Sequence, residues 1–76
     1  MSRKLPRVSG REVIRALERL GFEQVRQRGS HVTLKRETTD GVVGCVVPLH
    51  RELAEGTLRG ILKQARVTPD EFIEKL

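Results

Sequence analysis

The stretch QVRQRGSHVTLKRETTDGVVGCVV, residues 24–47, decides the fold. Its centre, residues 32–36, alternates as a strand does. Val32 and Leu34 fall on one side of an extended chain and His31, Thr33 and Lys35 on the other, because successive side chains point to opposite faces. Thr38-Thr39-Asp40-Gly41 is a turn cluster, and its Asp-Gly pair is a strong hairpin signal. Residues 42–47 form the next strand, whose almost continuous valine predicts the most buried position. Pro48 ends it, having no N–H to give to a ladder. Upstream, residues 24–27 make a shorter strand-like run. Three strands in close succession predict an antiparallel sheet.

Helices flank this sheet in the sequence. Ser9-Gly10-Arg11-Glu12 has the form of a capping box, in which the Ser9 hydroxyl accepts from an early backbone N–H and Glu12 reaches back. Val8 and Val13 are spaced as a hydrophobic staple. Val13, Ile14, Leu17 and Leu20 recur at helical spacing, with Arg11, Arg15, Glu18 and Arg19 outward, predicting a helix over residues 10–20. Gly21 stops it in the left-handed region, and Phe22 is placed to fold back on Leu17. Leu58, Ile61, Leu62 and Ala65 predict a second amphipathic helix over residues 56–65. Thr68-Pro69-Asp70-Glu71 repeats the start grammar, and Val67 and Phe72 repeat the staple. A short terminal helix follows, with Phe72, Ile73 and Leu76 as its buried stripe. The order α-β-β-β-α-α predicts an α+β fold with helices on one face of a three-stranded antiparallel sheet. His31, Thr33 and Lys35 then lie on the open face or along its rim.

At 76 residues the chain is expected to be one domain, residues 1–76. A fold of this size buries only roughly 60 % of its unfolded surface, so its stability is modest. Charge is divided unevenly. Residues 1–36 hold ten Lys/Arg against three Asp/Glu, and residues 37–76 five against seven. Such one-sidedness suggests a polyanionic partner, most simply nucleic acid, over a merely solvated surface. The lone Cys45 excludes an internal disulfide and fits a reducing compartment. No apolar run approaches the roughly 20 residues that span a bilayer, and MSRKLPRVSG lacks the apolar core of a signal peptide. A cytoplasmic protein without a membrane partner is expected. With two Phe and no Trp or Tyr, base stacking is not expected to carry recognition.

The chemistry concentrates in RQRGSHVTLKR, residues 26–36. His31 is either a solvated polar residue, the commoner fate of a histidine in a basic loop, or a proton-transfer group, towards which its neighbours tilt the reading without deciding it. Gly29 lets backbone approach a ligand closely, and Ser30 adds a hydroxyl and an N–H. Arg26, Arg28, Lys35 and Arg36 are the candidate RNA-backbone contacts. Imidazole both takes and gives a proton near neutral pH. The 2′-hydroxyl of RNA is a ready nucleophile towards its own phosphate, so cleavage needs a base, charge stabilisation and geometry but no metal. His50 is either an end-of-strand polar residue or a second proton-transfer histidine, if the third strand brings it near His31. Cys45 fits a small buried hydrophobe better than a nucleophile. Cys45, His50 and His31 lack a fourth ligand, so neither a metal site nor a cofactor is expected.

Four pieces together are distinctive: LERLGFEQVRQRGSHVTLKR (residues 17–36), VVPLH (residues 46–50), EGTLRGILKQA (residues 55–65) and TPDEF (residues 68–72). In this order they resemble the HicA family of bacterial toxins over nearly the whole chain. The resemblance implies a double-stranded-RNA-binding-domain-like fold and a metal-independent endoribonuclease that cleaves mRNA, stopping translation and growth. It places the catalytic histidine of the Gly-Ser-His motif at His31, with Gly29 and Ser30 shaping the site. It also implies a HicB-type antitoxin partner that covers the active-site surface. Two positions depart from the family pattern. Val32 stands where many members have a second histidine, and Arg66 where a helix-stopping glycine is common. The rival readings are a non-catalytic RNA-binding module of the same fold and a pure protein-interaction domain.

Overall fold

A computed structural model describes residues 4–76 of the chain. Its elements are α1 (Gly10–Arg19), β1 (Glu23–Arg28), β2 (His31–Thr38), β3 (Gly41–Pro48), α2 (Glu55–Ala65) and α3 (Pro69–Glu74). The strands are antiparallel in the order β1-β2-β3, so β2 is central. This is the expected α+β fold, with the element order of a double-stranded-RNA-binding domain. No helix among the described residues is long and apolar enough to cross a membrane.

Local chemistry sets the helix ends. The Ser9–Glu12 capping box forms in both directions: Glu12 N–H donates to Ser9 Oγ at 3.1 Å and Ser9 N–H to Glu12 Oε1 at 2.9 Å. At the other end, Phe22 N–H reaches Leu17 O and Gly21 N–H reaches Glu18 O, both at 3.0 Å, with Gly21 at φ 97°. This Schellman arrangement buries Phe22 and Leu17 as expected. The same two bonds end α2, from Val67 N–H to Leu62 O at 2.9 Å and from Arg66 N–H to Lys63 O at 3.2 Å. There the left-handed residue is Arg66, at φ 56° and ψ 41°. A residue with a Cβ in that region costs roughly 1–2 kcal/mol. A second capping box opens α3. The Thr68 N–H, the Thr68 hydroxyl and then the charge of Arg36 hold the Glu71 carboxyl below the usual carboxylate range.

The helices pack chiefly over β3, and β1 overhangs, exposed along its whole length. Leu17, Leu34, Leu58, Leu62 and Phe72 centre the core beneath them. Leu5 and Val8 from the N-terminal segment join it, and Leu53 N–H pairs with Val8 O at 2.8 Å. Two expectations need correction. The valine-rich strand is not buried throughout: β3 is an edge strand with one covered face, so Val43, Cys45 and Val47 are buried while Val42 is 63 % and Val46 42 % exposed. Leu76 is not part of a buried stripe but 44 % exposed, because α3 ends at Glu74 and Leu76 lies past its last turn.

Candidate active site

β1 and β2 are joined by only two residues, Gly29 and Ser30. Gly29 has φ 58° while Ser30 is not in the positive-φ region, the sign pattern of a type II′ turn, whose twist suits a two-residue hairpin. A Cβ at Gly29 would meet nothing within 4 Å, so the backbone angle and not crowding calls for glycine. The ladder starts at once, pairing Arg28 with His31, Gln27 with Val32 and Arg26 with Thr33. Directly opposed residues share a face, with Cβ atoms about 5 Å apart. Arg28 and Arg26 therefore accompany His31 on the open face. A bulge at Val25 follows, between the pairs Arg26–Thr33 and Gln24–Leu34. It takes Val25 off the covered face, where strict alternation would have put it, and leaves it 51 % exposed beside Lys35 and Val42.

On its other side His31 pairs with Pro48, the last residue of β3. Leu49 N–H donates to Ser30 O at 2.7 Å, and Gly10 N–H to His50 O at 2.9 Å. A Cβ at Gly10 would collide with the carbonyl oxygen of Pro48. The first turn of α1 is thus seated on the segment that grips the Ser30–His31 backbone. His50 lies at the same end of the sheet, exposed, with its backbone carbonyl fixed by α1.

The structure gathers His31, Arg28, Arg26, Gly29 and Ser30 at one end of the open face. Lys35 shares that face but sits four residues along β2, about 13 Å away at ~3.3 Å per residue. Its stem lies over Gly44, where a Cβ would come 3.4 Å from Lys35 Cγ. Arg36 is on the covered side. Its Nη1 donates to Leu20 O at 2.9 Å and its guanidinium lies 4.8 Å from the centre of the Phe22 ring, so it braces the end of α1. Val32 is also on the covered side, in the core. A histidine at that position would therefore point away from His31.

His31 is exposed, and its side chain makes no hydrogen bond or ion pair among the described residues, leaving its ring free for a ligand. Burial pushes the Cys45 thiol up to about 11, which keeps it protonated and unreactive near neutral pH. The described residues contain no group of three or more His, Cys, Asp or Glu side chains that could hold a metal ion. Two contributors escaped sequence reasoning. Pro48 looked like a strand terminator and is the ladder partner of His31. Gly10 looked like part of a cap and is the close contact between α1 and β3. Neither role leaves a periodic signal.

A comparison with curated proteins found no match. A family model described as the HicA toxin of bacterial toxin-antitoxin matches residues 10–67, from the first residue of α1 to the residue that completes the end of α2. That span takes in the whole sheet and the His31 hairpin. With well over half of its length matched, the chain belongs to the HicA toxin family.

Proposed function

We propose that this chain is an endoribonuclease that cleaves mRNA as the toxin of a toxin–antitoxin pair, with His31 as its catalytic residue. One observation carries the reading: His31 stands exposed at the end of the central strand, directly opposite Arg28 and one pair from Arg26. A phosphate held by Arg28 lies within reach of the imidazole. As general base, His31 takes the proton of the 2′-hydroxyl while its oxygen bonds to the adjacent phosphorus. As general acid, it gives a proton to the 5′-oxygen as the P–O5′ bond breaks. Arg28 and Arg26 balance the charge that builds on the phosphate oxygens, and the Gly29–Ser30 turn lets the backbone approach. Lys35 holds RNA farther along the face, and His50 is placed to assist at the same end. Arg36 is engaged in the fold and is given no role at the scissile phosphate.

The partner implied by the family, a HicB-type antitoxin, would cover this open face, where Val25, Val42 and Val46 leave apolar surface around the charged residues. The test is a time course on long mRNA with purified wild-type chain and His31→Ala, each with and without EDTA. Wild type should cut equally in both conditions, and His31→Ala should bind RNA without cutting it. Wild-type cleavage rates in the variant would remove His31 from the mechanism. RNA binding without cleavage by wild type would leave a non-catalytic RNA-binding module.

A further inference from the structure

The outer side of α1 carries Arg11, Arg15 and Arg19 at four-residue intervals, with Arg7 one interval before the helix. The outer two are engaged: Arg7 Nη1 pairs with Glu52 at 3.2 Å, and Arg19 Nη1 donates to Lys75 O at 2.6 Å. Arg11 and Arg15 have neither a carboxylate nor a carbonyl partner among the described residues. Like charges one turn apart work against a helix, so an anion between them would relieve the repulsion.

These two arginines form one wall of an open groove, and Gln24 and Gln27 of β1 form the other. Its floor is Ile14, Val32 and Leu49. The groove exists because the helices pack over β3 and leave β1 overhanging. Its two ends differ in charge. At one end Glu18 accepts from Gln24 Nε2 at 3.3 Å. At the other, Gln27 Nε2 donates to Gly29 O at 3.1 Å, in the turn that carries His31. The positive end therefore opens beside the catalytic hairpin, round its edge from His31. Arg11 and Arg15 are about 6 Å apart along the axis at ~1.5 Å per residue, the scale of neighbouring phosphates in one strand. The glutamine amides supply donors and acceptors suited to ribose hydroxyls.

We propose that this groove is a second RNA track, in which Arg11 and Arg15 hold the sugar–phosphate backbone after the strand has passed His31 and rounded the Gly29–Ser30 turn. The inference rests on the reading of the chain as an RNA-cleaving protein and adds where the strand runs. Charge and amide chemistry favour RNA here over an acidic protein segment, which the experiment distinguishes.

The probe is a 5′-fluorescein-labelled single-stranded mRNA fragment, titrated with the His31→Ala chain and with the same chain carrying Arg11→Gln and Arg15→Gln. Fluorescence anisotropy is followed across roughly 50–200 mM salt. Each phosphate contact on a single strand contributes about 0.7 to the slope of log K against log salt. The double substitution should flatten that slope by about 1.4 and weaken binding about tenfold near 0.1 M salt. A charge-matched pair on α2, Arg59→Gln with Lys63→Gln, should stay within about twofold of the parent chain. Circular dichroism checks that both variants remain folded. With His31 intact, Arg11→Gln/Arg15→Gln should raise KM for RNA and leave kcat unchanged.

An unchanged slope overturns the track, as does an equal loss in the α2 pair, which would make the effect one of net charge. Intact RNA binding combined with lost affinity for a purified HicB-type partner also overturns it and assigns the groove to protein. If wild type cuts no RNA, the catalytic reading falls while the binding slopes still decide the groove.

Discussion

Leu34 and Lys35 are neighbours in β2, yet one is fully buried while the other lies in solvent, and the contrast extends across the sheet. On the covered face Val32, Leu34, Val43, Cys45 and Val47 meet the helices. On the open face His31, Thr33 and Lys35 stand beside Arg26, Arg28 and the exposed Val46. The same backbone serves both. Substitutions one residue apart therefore test different properties, stability on one side and chemistry on the other.

The largest effect expected is on the open face. His31→Ala should lower the rate of RNA cleavage by about 10²–10⁴-fold, the usual contribution of a general acid–base group. Its free energy of unfolding in urea should stay within about 0.5 kcal/mol of wild type. A comparable loss of stability would mean that His31 belongs to the scaffold. On the covered face, Leu34→Ala should cost about 2–5 kcal/mol in urea unfolding. For a domain this small that is a large share of the total.

Cys45 reports on the same face without a substitution. A thiol raised from an ordinary 9.0 to about 11 has a thiolate fraction about a hundredfold smaller near neutral pH. Its reaction with a disulfide reagent should be slowed at least that much in the folded chain, and should quicken as pH rises towards 11. Fast labelling of the folded chain at pH 7 would show the face open to solvent. Val46→Asp, on the open face, should leave folding within about 0.5 kcal/mol of wild type. It should weaken binding to a HicB-type partner about tenfold or more, measured by calorimetry, and an unchanged affinity would move that partner off the valine side. The smallest effect lies outside both faces. Arg66→Gly should raise stability by about 1 kcal/mol, because only the left-handed angle is relieved.

The sequence showed what is local. Both capping boxes and the stop at Gly21 depend on residues within a few positions, and all form as expected. The alternation in β2 also separated His31, Thr33 and Lys35 from Val32 and Leu34. That same parity puts Arg36 on the covered side, although counting charges groups it with Lys35. The bulge at Val25 was hidden because β1 is polar on both faces and shows no pattern to interrupt. The valine run suggested burial on two sides because it carries no sign of which strand is central. The seat of Gly10 on Pro48 and the groove beside β1 join elements far apart in the chain, and periodicity is blind to such contacts.

The overhang of β1 also bears on how the molecule moves. Its amides pair with a single neighbour, and every residue of the strand is exposed. In native-state hydrogen exchange, β1 should open at lower free energy than β2 or β3, as elements with few buried contacts do. His31 is held independently of that opening, through Pro48 and the bond from Leu49 to Ser30. Arg26, Arg28 and the two glutamines lie on the strand expected to open first, while the imidazole lies on the strand expected to stay closed. Opening of β1 would thus move Arg26 and Arg28 relative to a fixed His31 without the core coming apart.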